Sequence, residues 1–368
     1  MDNFRIIIAG GGTGGHLFPA IAIGEELKER FPKAEIHFIG SDFGLEAKVF
    51  PVKDLLHTLL PIRGFQRGLS IGSILKNLIL PYRILRSLLR VSKLFKEFNP
   101  TLIIGTGGYA SALPLFMATI QKKSIPIILQ EQNSFPGLTT RWFSKKANLI
   151  CTAFKTDNLD VKNKLVITGN PIRRNIISGD RKFALKVYDL DIEKNTLFVF
   201  GGSQGSAVLN KSLESIINKF DNKSIQILWQ TGDNEYNKYK KYKNDTIKIV
   251  PFINDMAAAY ALCDLVICRS GALTLSEVTT CGKPSILIPF AAAAGNHQMK
   301  NAKTLYQAGA SILIEERELK SDKLFKNINY LINNKNILEK MSAAAKDLGN
   351  PNATKKIANH IIDIVSNV

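Results

Sequence analysis

Short apolar runs that end in glycine-rich turns recur along this chain, and a helical pattern follows each turn. The runs are RIIIAGGGTGGH from Arg5, TLIIGTGGYAS from Thr101, LFVFGGSQGS from Leu197 and LVICRSG from Leu265. Strands that are buried on both faces are continuous apolar runs, and strands that alternate with helices form parallel sheets. The sequence therefore predicts an α/β protein with parallel sheets.

The length and the restart of this pattern predict two domains. A chain of 368 residues exceeds the usual size of one domain, and Gly169, Asn170 and Pro171 mark a linker. We expect a first domain over 1–168 and a second over 169–350. A last helix over about 351–368, with Asn350 as N-cap and Pro351 as its first residue, is expected to pack back onto the first domain.

The net charge of +18, from 49 Lys and Arg against 31 Asp and Glu, predicts a polyanionic partner. The segment 63–96 has eight basic residues and no acidic one. On a helix, its basic side chains share roughly one third of the circumference, and Pro81 is expected to kink or divide that helix. These basic side chains are Lys76, Arg83, Arg86, Arg90 and Lys93.

Leucine and isoleucine side chains lie mostly on the other side of the segment 63–96, as on a helix that docks on an anionic membrane. Nucleic-acid binding would call for aromatic platforms or a recognition motif, and the segment has neither. A merely solvated basic face is the alternative. No apolar run reaches the roughly 18 residues of a membrane span, so we expect a soluble or peripheral protein. The N-terminus, without a basic leader, predicts the cytoplasm.

The four cysteines are isolated in apolar runs, which predicts buried, reduced thiols and not a zinc site or disulfides. They are Cys151, Cys263, Cys268 and Cys281.

The stretch VICRSGALTLSE, residues 266–277, has the outline of a nucleotide pocket. N–H groups at a helix start near Ala272 attract phosphate oxygens, and the carboxylate of Glu277 can accept from two ribose hydroxyls. An ordinary strand, turn and helix with a surface glutamate is the alternative.

His16 follows the first glycine turn, ahead of a helix expected from about Pro19 to Arg30. A helix N-terminus disfavours the charged imidazole, so His16 is a candidate neutral base, although a lone histidine is more often structural. The same turn also fits a dinucleotide fingerprint, for which Asp42 is a poorly placed acidic partner. His37 and His57 lie in strand-like runs, and we interpret both as structural.

Seven motifs then occur in one order over nearly the whole chain: GGGTGGH, GTGGY, EQN, GNPIR, GGSQGS, CRSGALTLSE and NHQMKNA. In this order the chain closely resembles the N-acetylglucosaminyltransferases of peptidoglycan synthesis, the MurG family. The resemblance implies the GT-B fold, with two Rossmann-like domains that face across a cleft. It also implies transfer of N-acetylglucosamine from UDP-N-acetylglucosamine to the 4-hydroxyl of the muramyl-pentapeptide of undecaprenyl-linked lipid I, with inversion, at the cytoplasmic face of the inner membrane.

The resemblance assigns roles to individual positions. His16 would be the catalytic base, and Glu277 would bind the ribose. Ile253 would meet the uracil through its backbone. The other substrate contacts would be Thr13, Gly14, Gly15, Asn133, Arg173, Ser203, Ala272, Leu273, Thr274, Leu275, Ser276 and Gln298.

No metal or other cofactor is expected, because helix starts and Arg173 can neutralise the departing UDP. The chain departs from the family pattern in two places. Gln130 stands where the family usually has His, and Ala291 to Ala294 with Gly295 replace a stretch that commonly holds a His and an acidic residue. Alternatives are a diacylglycerol glycosyltransferase of similar fold, an NAD-dependent dehydrogenase and a nucleic-acid-binding protein.

Overall fold

The chain divides into two compact units, and each is built on one parallel sheet. In the computed structural model, residues 4–64, 77–155, 159, 161, 164–220 and 224–366 are described. The first unit comprises residues 1–172 and 352–368, and the second comprises residues 173–351. Relative to the expected boundary, the linker residues Gly169 to Ile172 belong to the first unit.

The first unit has a seven-stranded sheet in the order β3-β2-β1-β4-β5-β6-β7, and all neighbouring strands are parallel. Its strands are β1 Arg5–Gly10, β2 Glu35–Ser41, β3 His57–Leu60, β4 Leu102–Gly107, β5 Ile127–Glu131, β6 Leu149–Thr152 and β7 Leu165–Ile167. Its helices before the linker are α1 Gly14–Arg30, α2 Glu46–Val52, α3 Leu80–Phe98, α4 Tyr109–Thr119 and α5 Leu138–Phe143.

The second unit has a six-stranded parallel sheet in the order β10-β9-β8-β11-β12-β13. Its strands are β8 Asn195–Phe200, β9 Ile225–Gln230, β10 Ile247–Val250, β11 Leu265–Cys268, β12 Ser285–Leu287 and β13 Ser311–Leu313. Its helices are α6 Arg181–Val187, α7 Ala207–Glu214, α8 Asp233–Tyr239, α9 Met256–Leu262, α10 Ala272–Thr280, α11 His297–Gln307, α12 Ser321–Ile332 and α13 Lys335–Leu348.

The last helix, α14 (Ala353–Ser366), packs with the first unit, where Ile357, Ala358 and Ile361 join the core that contains Ile6 and Ile8 of β1. It begins after Asn350 and Pro351, so the predicted N-cap was wrong. A helix with one apolar face must bury it, and α14 does so in the core of the first unit.

The start of α1 also differs from the prediction. Helix α1 begins at Gly14 and not near Pro19, and His16 therefore lies in its first turn. Pro19 lies inside the helix, although proline there removes one helical hydrogen bond and is more usual in the first turn. The chain is helical at 77 and 78, turns at Ile79 and restarts at Leu80, so the division expected at Pro81 occurs just before it, and Pro81 is the second residue of α3.

The glycine turns allow close backbone approach. Gly12, which follows β1, has a φ of 90°, a conformation that L side chains rarely adopt. Gly108, which follows β4, has a φ of 80°, and a Cβ atom there would collide with the carbonyl oxygen of Gly11. The turns after the two central strands of the first sheet thus lie against each other.

Candidate functional site

The first glycine turn leads directly into the start of α1. Thr13 is extended and is the N-cap residue, and its carbonyl accepts from the N–H groups of His16 and Leu17. Gly14 and Gly15 are therefore the first two residues of the helix, where N–H groups have no helical carbonyl to bond. This arrangement can receive an anionic or hydroxyl-rich ligand.

Glu46 supports this turn, and no motif in the sequence singles it out. It is fully buried at the start of α2, and its Oε1 accepts from the N–H groups of Gly12 and Ser41, each at 2.8 Å. The carboxylate thereby ties the turn after β1 to the end of β2. A Cβ atom at Gly11 would collide with the same carboxylate.

His16 is half-buried, and its Nδ1 faces two oxygen atoms. These are the backbone carbonyl of Thr106 at 2.9 Å and Oε1 of Gln132 at 3.0 Å. A carbonyl oxygen can only accept a hydrogen bond, so Nδ1 carries the proton. In the neutral ring, Nε2 is then the unprotonated nitrogen, which is the form a general base needs.

Asn133, the other site residue expected in this unit, is placed by a buried carboxylate. Oε1 of Glu131 accepts from both the backbone N–H and the Nδ2 of Asn133, at 3.0 and 3.3 Å. Oε2 of Glu131 accepts from Gly137 and Thr140. Glu131 thus holds the loop after β5. The motif EQN drew attention to this loop, but it did not indicate that Glu131 supports it.

Asp42, on which the dehydrogenase alternative depended, follows β2 and lies 3.9 Å from Nη1 of Arg90. Arg90 also donates to the carbonyl of Leu59 at 2.7 Å. The arginine therefore belongs to a structural contact, although the sequence placed it on an exposed basic face.

In the second unit, the structure brings together two residues whose roles were predicted separately from the sequence. Glu277 is only 4% exposed, which rules out the surface-glutamate alternative. Its Oε1 lies 3.6 Å from Nε of Arg173, and its Oε2 accepts from the Tyr260 hydroxyl at 3.3 Å. Burial raises the pKa of the Glu277 carboxyl, and the Arg173 guanidinium and the Tyr260 hydroxyl act in the opposite direction.

Helix α10 begins at Ala272, as predicted, with Gly271 as its N-cap. Ala272, Leu273 and Leu275 are buried, and the Ser276 hydroxyl donates back to the Ala272 carbonyl. This helix start can offer its first N–H groups to a ligand.

The glycine turn after β8 is joined to the Ile253 loop by Gln230, which the sequence analysis did not identify. Nε2 of Gln230 donates to the Gly202 carbonyl at 3.0 Å, and its Oε1 accepts from the Ile253 N–H at 2.8 Å. Ser203 lies in this turn and is half-buried. Because the N–H of Ile253 already donates to Gln230, a nucleobase would have to meet the Ile253 carbonyl.

Gln298 lies in the first turn of α11, where its Oε1 accepts from Phe290 N–H and its carbonyl accepts from the Ser270 hydroxyl. The same loop is held by Arg269, which donates to the carbonyls of Ile288 and Pro289. The sequence motifs thus indicated Gln298, but they did not indicate that Arg269 supports its loop.

Glu316 completes that support. It pairs with Nη2 of Arg269 at 3.0 Å and accepts from the Ala291 N–H at 3.0 Å. Partial burial acts to raise the pKa of its carboxyl, but the hydrogen bonds from Arg269 and Ala291 hold that pKa below its usual value. Ala291 therefore contributes through its backbone, although its side chain departs from the family pattern.

All four cysteines are free thiols, and three are buried while Cys281 is half-buried. Within the described ranges, no three His, Cys, Asp or Glu side chains come together as they would around a metal ion.

Two family models match most of the chain. The glycosyltransferase family 28 N-terminal domain matches residues 6–152, and the family 28 C-terminal domain matches residues 196–361. Among solved structures, the chain is similar to MurG of Acinetobacter baumannii, with a TM-score of 0.72 and 24% identity over 100% of both chains. It is also similar to the glycosyltransferase of kitacinnamycin, with a TM-score of 0.68 and 13% identity over 97% of each chain. These likenesses and the two parallel sheets confirm the predicted GT-B fold with two Rossmann-like domains.

Curated relatives match over the full length. A UDP-N-acetylglucosamine–N-acetylmuramyl-(pentapeptide) pyrophosphoryl-undecaprenol N-acetylglucosamine transferase of Christiangramia forsetii is 38% identical, over 100% of this chain and 99% of that protein. The protein of the same name from Thermodesulfovibrio yellowstonii is 41% identical over 96% of each chain. The chain therefore belongs to glycosyltransferase family 28 and, within it, to the UDP-sugar-dependent N-acetylglucosaminyltransferases of peptidoglycan synthesis, the MurG family.

Proposed function

We propose that this protein transfers N-acetylglucosamine from UDP-N-acetylglucosamine to the 4-hydroxyl of the muramyl-pentapeptide in undecaprenyl-linked lipid I, giving lipid II. The observation that carries the proposal is the position of His16, whose Nδ1 lies 2.9 Å from the Thr106 carbonyl oxygen and so leaves Nε2 to act as the base. Family membership and the carboxylate of Glu277, buried beside Arg173, support it.

The reaction forms one bond and breaks one. The acceptor oxygen attacks the anomeric carbon, the bond from that carbon to the diphosphate oxygen breaks, and the configuration inverts. The hydroxyl proton passes to Nε2 of His16, and the bonding electrons leave with UDP. Positive charge on Arg173 and the N–H groups at the start of α10 would stabilise the negative charge of the diphosphate.

The donor contacts follow from the same assignment. Glu277 would accept from the ribose hydroxyls through Oε1, which accepts no hydrogen bond within the described residues, and Ile253 would accept from the uracil through its carbonyl. Ser203 would lie at the diphosphate and Gln298 at the sugar hydroxyls. We also assign Thr13, Gly14, Gly15 and Asn133 to the substrate contacts.

The test is transfer of labelled N-acetylglucosamine to lipid I by the purified full-length chain. His16→Ala should lose turnover but keep UDP binding, since the base acts only in the chemical step. His360→Ala, on α14, is the matched control and should stay active. Full activity of His16→Ala would remove His16 from the mechanism, and a preference for diacylglycerol over lipid I would favour the alternative acceptor.

Helix α3 supports a second element of the proposal, that the first unit docks on an anionic membrane surface at the cytoplasmic face. Its buried side is formed by Ser87, Val91 and Phe95. Leu85 and Leu89 are 58% and 64% exposed, so large apolar side chains on this helix are not used by the core. Further exposed apolar side chains nearby in the chain are Leu78, Ile79 and Tyr82.

Exposed cations accompany these apolar side chains. Arg86 and Lys93 are exposed on α3, whereas Arg90 is bound to Leu59 and Asp42. Apolar side chains beside cations are typical of helices that lie in a membrane interface. Residues 65–76 of the predicted basic segment, including Lys76, lie outside the described residues. In the part of the chain that is described, no helix is long and apolar enough to cross a bilayer.

A further inference from the structure

We infer that Gln132 is a positioning residue for His16, and that Gln130 and Asn170 behind it fix the direction of its amide. This inference rests on the proposed role of His16 as the base. Gln130 lies in β5, Gln132 follows that strand, and Asn170 follows β7. All three amides are at most 3% exposed, so water does not compete for their hydrogen bonds.

The direction of the Gln132 amide is set by a backbone carbonyl. Nε2 of Gln132 donates to the Thr106 carbonyl at 2.7 Å and also to Oε1 of Gln130. Reversing the amide would place its oxygen against the Thr106 oxygen, two acceptors with no proton between them. Oε1 is therefore the Gln132 atom that faces Nδ1 of His16.

A backbone carbonyl also fixes the orientation of Asn170, the last of the three amides. Nε2 of Gln130 donates to Oδ1 of Asn170 at 3.2 Å, and Nδ2 of Asn170 donates to the Gln132 carbonyl at 3.3 Å. Each amide thus has one orientation, dictated by its neighbour. Buried polar networks in which every member is satisfied hold side chains rigidly.

The network has a consequence for proton transfer. Thr106 and Gln132 present two acceptors to Nδ1, so the ring keeps its proton on Nδ1 and leaves Nε2 to receive one. After the transfer, the charged ring can stay in place, because its Nδ1–H has the same two partners. Amides do not titrate, so the network keeps this direction. Gln130, which departs from the family pattern, is therefore a functional part of it.

The alternative is that these amides only satisfy each other and stabilise the fold. Gln132→Met separates the two ideas, since it removes the amide and keeps an unbranched side chain. The matched control is Gln226→Met in the second unit. Gln226 is 1% exposed and also donates two hydrogen bonds, to the Asp191 carbonyl and the Thr196 hydroxyl.

We expect Gln132→Met to lower kcat at least ten-fold and to leave KM for UDP-N-acetylglucosamine within about two-fold, because an acceptor lost at the base affects the chemical step. Gln226→Met should lose a similar amount of thermal stability and keep kcat. Equal kcat losses in both variants, or an unchanged kcat in Gln132→Met, would overturn the inference.

A second pair of variants covers the outcome that Gln132→Met does not fold. Gln130→Met should lower kcat, whereas Gln130→His should preserve it, because a neutral imidazole can accept from Gln132 and donate to Asn170. Equal activities of the two variants would contradict the inference.

The ring nitrogens of His16 provide a readout that does not depend on turnover. Long-range proton–nitrogen NMR correlations of the wild-type chain should show a protonated Nδ1 and a bare Nε2. Gln132→Met should show a larger share of the other tautomer, because the Thr106 carbonyl is then the one remaining acceptor of the two. If the wild-type chain fails to transfer sugar to lipid I, the proposed function fails. These spectra would still show whether the amide network keeps the His16 proton on Nδ1. A protonated Nε2 in the neutral wild-type ring would overturn it.

Discussion

Arg173 and Glu277 form an ion pair in which Nε of the arginine lies 3.6 Å from Oε1 of a carboxylate that is 4% exposed. Arg173 is the first residue of the second unit, and Glu277 lies within α10. The guanidinium offsets part of the cost of burying the carboxylate charge. One ion pair therefore joins Glu277, proposed to bind the ribose, to Arg173, proposed to bind the diphosphate.

We expect Glu277→Gln to weaken UDP binding by about 10- to 100-fold, because hydrogen bonds to a charged acceptor contribute about 1.5–3 kcal/mol. Calorimetric titration with UDP measures the change, and Glu339→Gln, at an exposed position of α13, is the control. Undiminished affinity of Glu277→Gln for UDP would show that the carboxylate does not contact the nucleotide.

The same substitution should change how stability depends on pH. Burial raises the pKa of Glu277 above its ordinary value of 4.5, so between these two pKa values the folded protein binds more protons than the unfolded chain. The contribution of Glu277 to the free energy of unfolding therefore falls as pH rises through this window. Urea unfolding at a series of pH values should show Glu277→Gln gaining stability relative to the wild type as pH rises. A constant difference would contradict the raised pKa.

His37 provides the opposite case. Burial, together with the neighbouring His57, lowers its pKa from 6.5 to about 4, and its Nε2 contacts the Thr58 hydroxyl at 2.8 Å. Between pH 6.5 and about 4 the unfolded chain binds more protons, so acidification through this range destabilises the fold. His37→Asn should reduce the loss of stability between pH 7 and pH 5. Loss of transferase activity at pH 7 in a folded variant would instead argue against the structural interpretation of His37.

The sequence predicted the strands, turns and helix starts of the site better than the buried side chains that hold them in place. Strand β11, the turn at Gly271 and the start of α10 follow from local chemistry, because apolar periodicity and glycine are local signals. The direction of the Gln132 amide depends on Thr106, which is distant in sequence. Glu46 is likewise recognisable only once β1 and β2 lie side by side.

The start of α1 was harder to predict. Gly14 and Gly15 have low helix propensity, yet α1 begins at Gly14. Packing of Leu17, Ala20 and other residues into the core of the first unit overrides that propensity. Because α1 begins earlier than expected, His16 lies within its first turn. In that turn, the N–H groups of the helix N-terminus are closest to the ring.

Glu316 gives a prediction about the sugar rather than the nucleotide. Glu316→Gln removes the charge that pairs with Arg269, and the loop from Ile288 to Gln298 should become less well ordered. We expect KM for UDP-N-acetylglucosamine to rise several-fold while affinity for UDP alone changes less. Steady-state kinetics and UDP titration together measure the two quantities. Equal losses for UDP and for UDP-N-acetylglucosamine would mean that the loop serves the nucleotide instead. Glu315→Gln, which leaves the Arg269 contact intact, is the control.

Membrane docking through α3 predicts a charge effect of a particular size. Each cation near an anionic surface contributes on the order of 1 kcal/mol, so Arg86→Glu with Lys93→Glu should weaken binding to phosphatidylglycerol vesicles by roughly 20-fold or more. Leu85→Asp should also weaken it, because Leu85 is 58% exposed and its loss removes apolar area from the proposed interface. Lys326→Glu with Lys340→Glu makes the same change of net charge on the second unit. If that control pair weakens vesicle binding equally, net charge and not α3 holds the protein at the membrane.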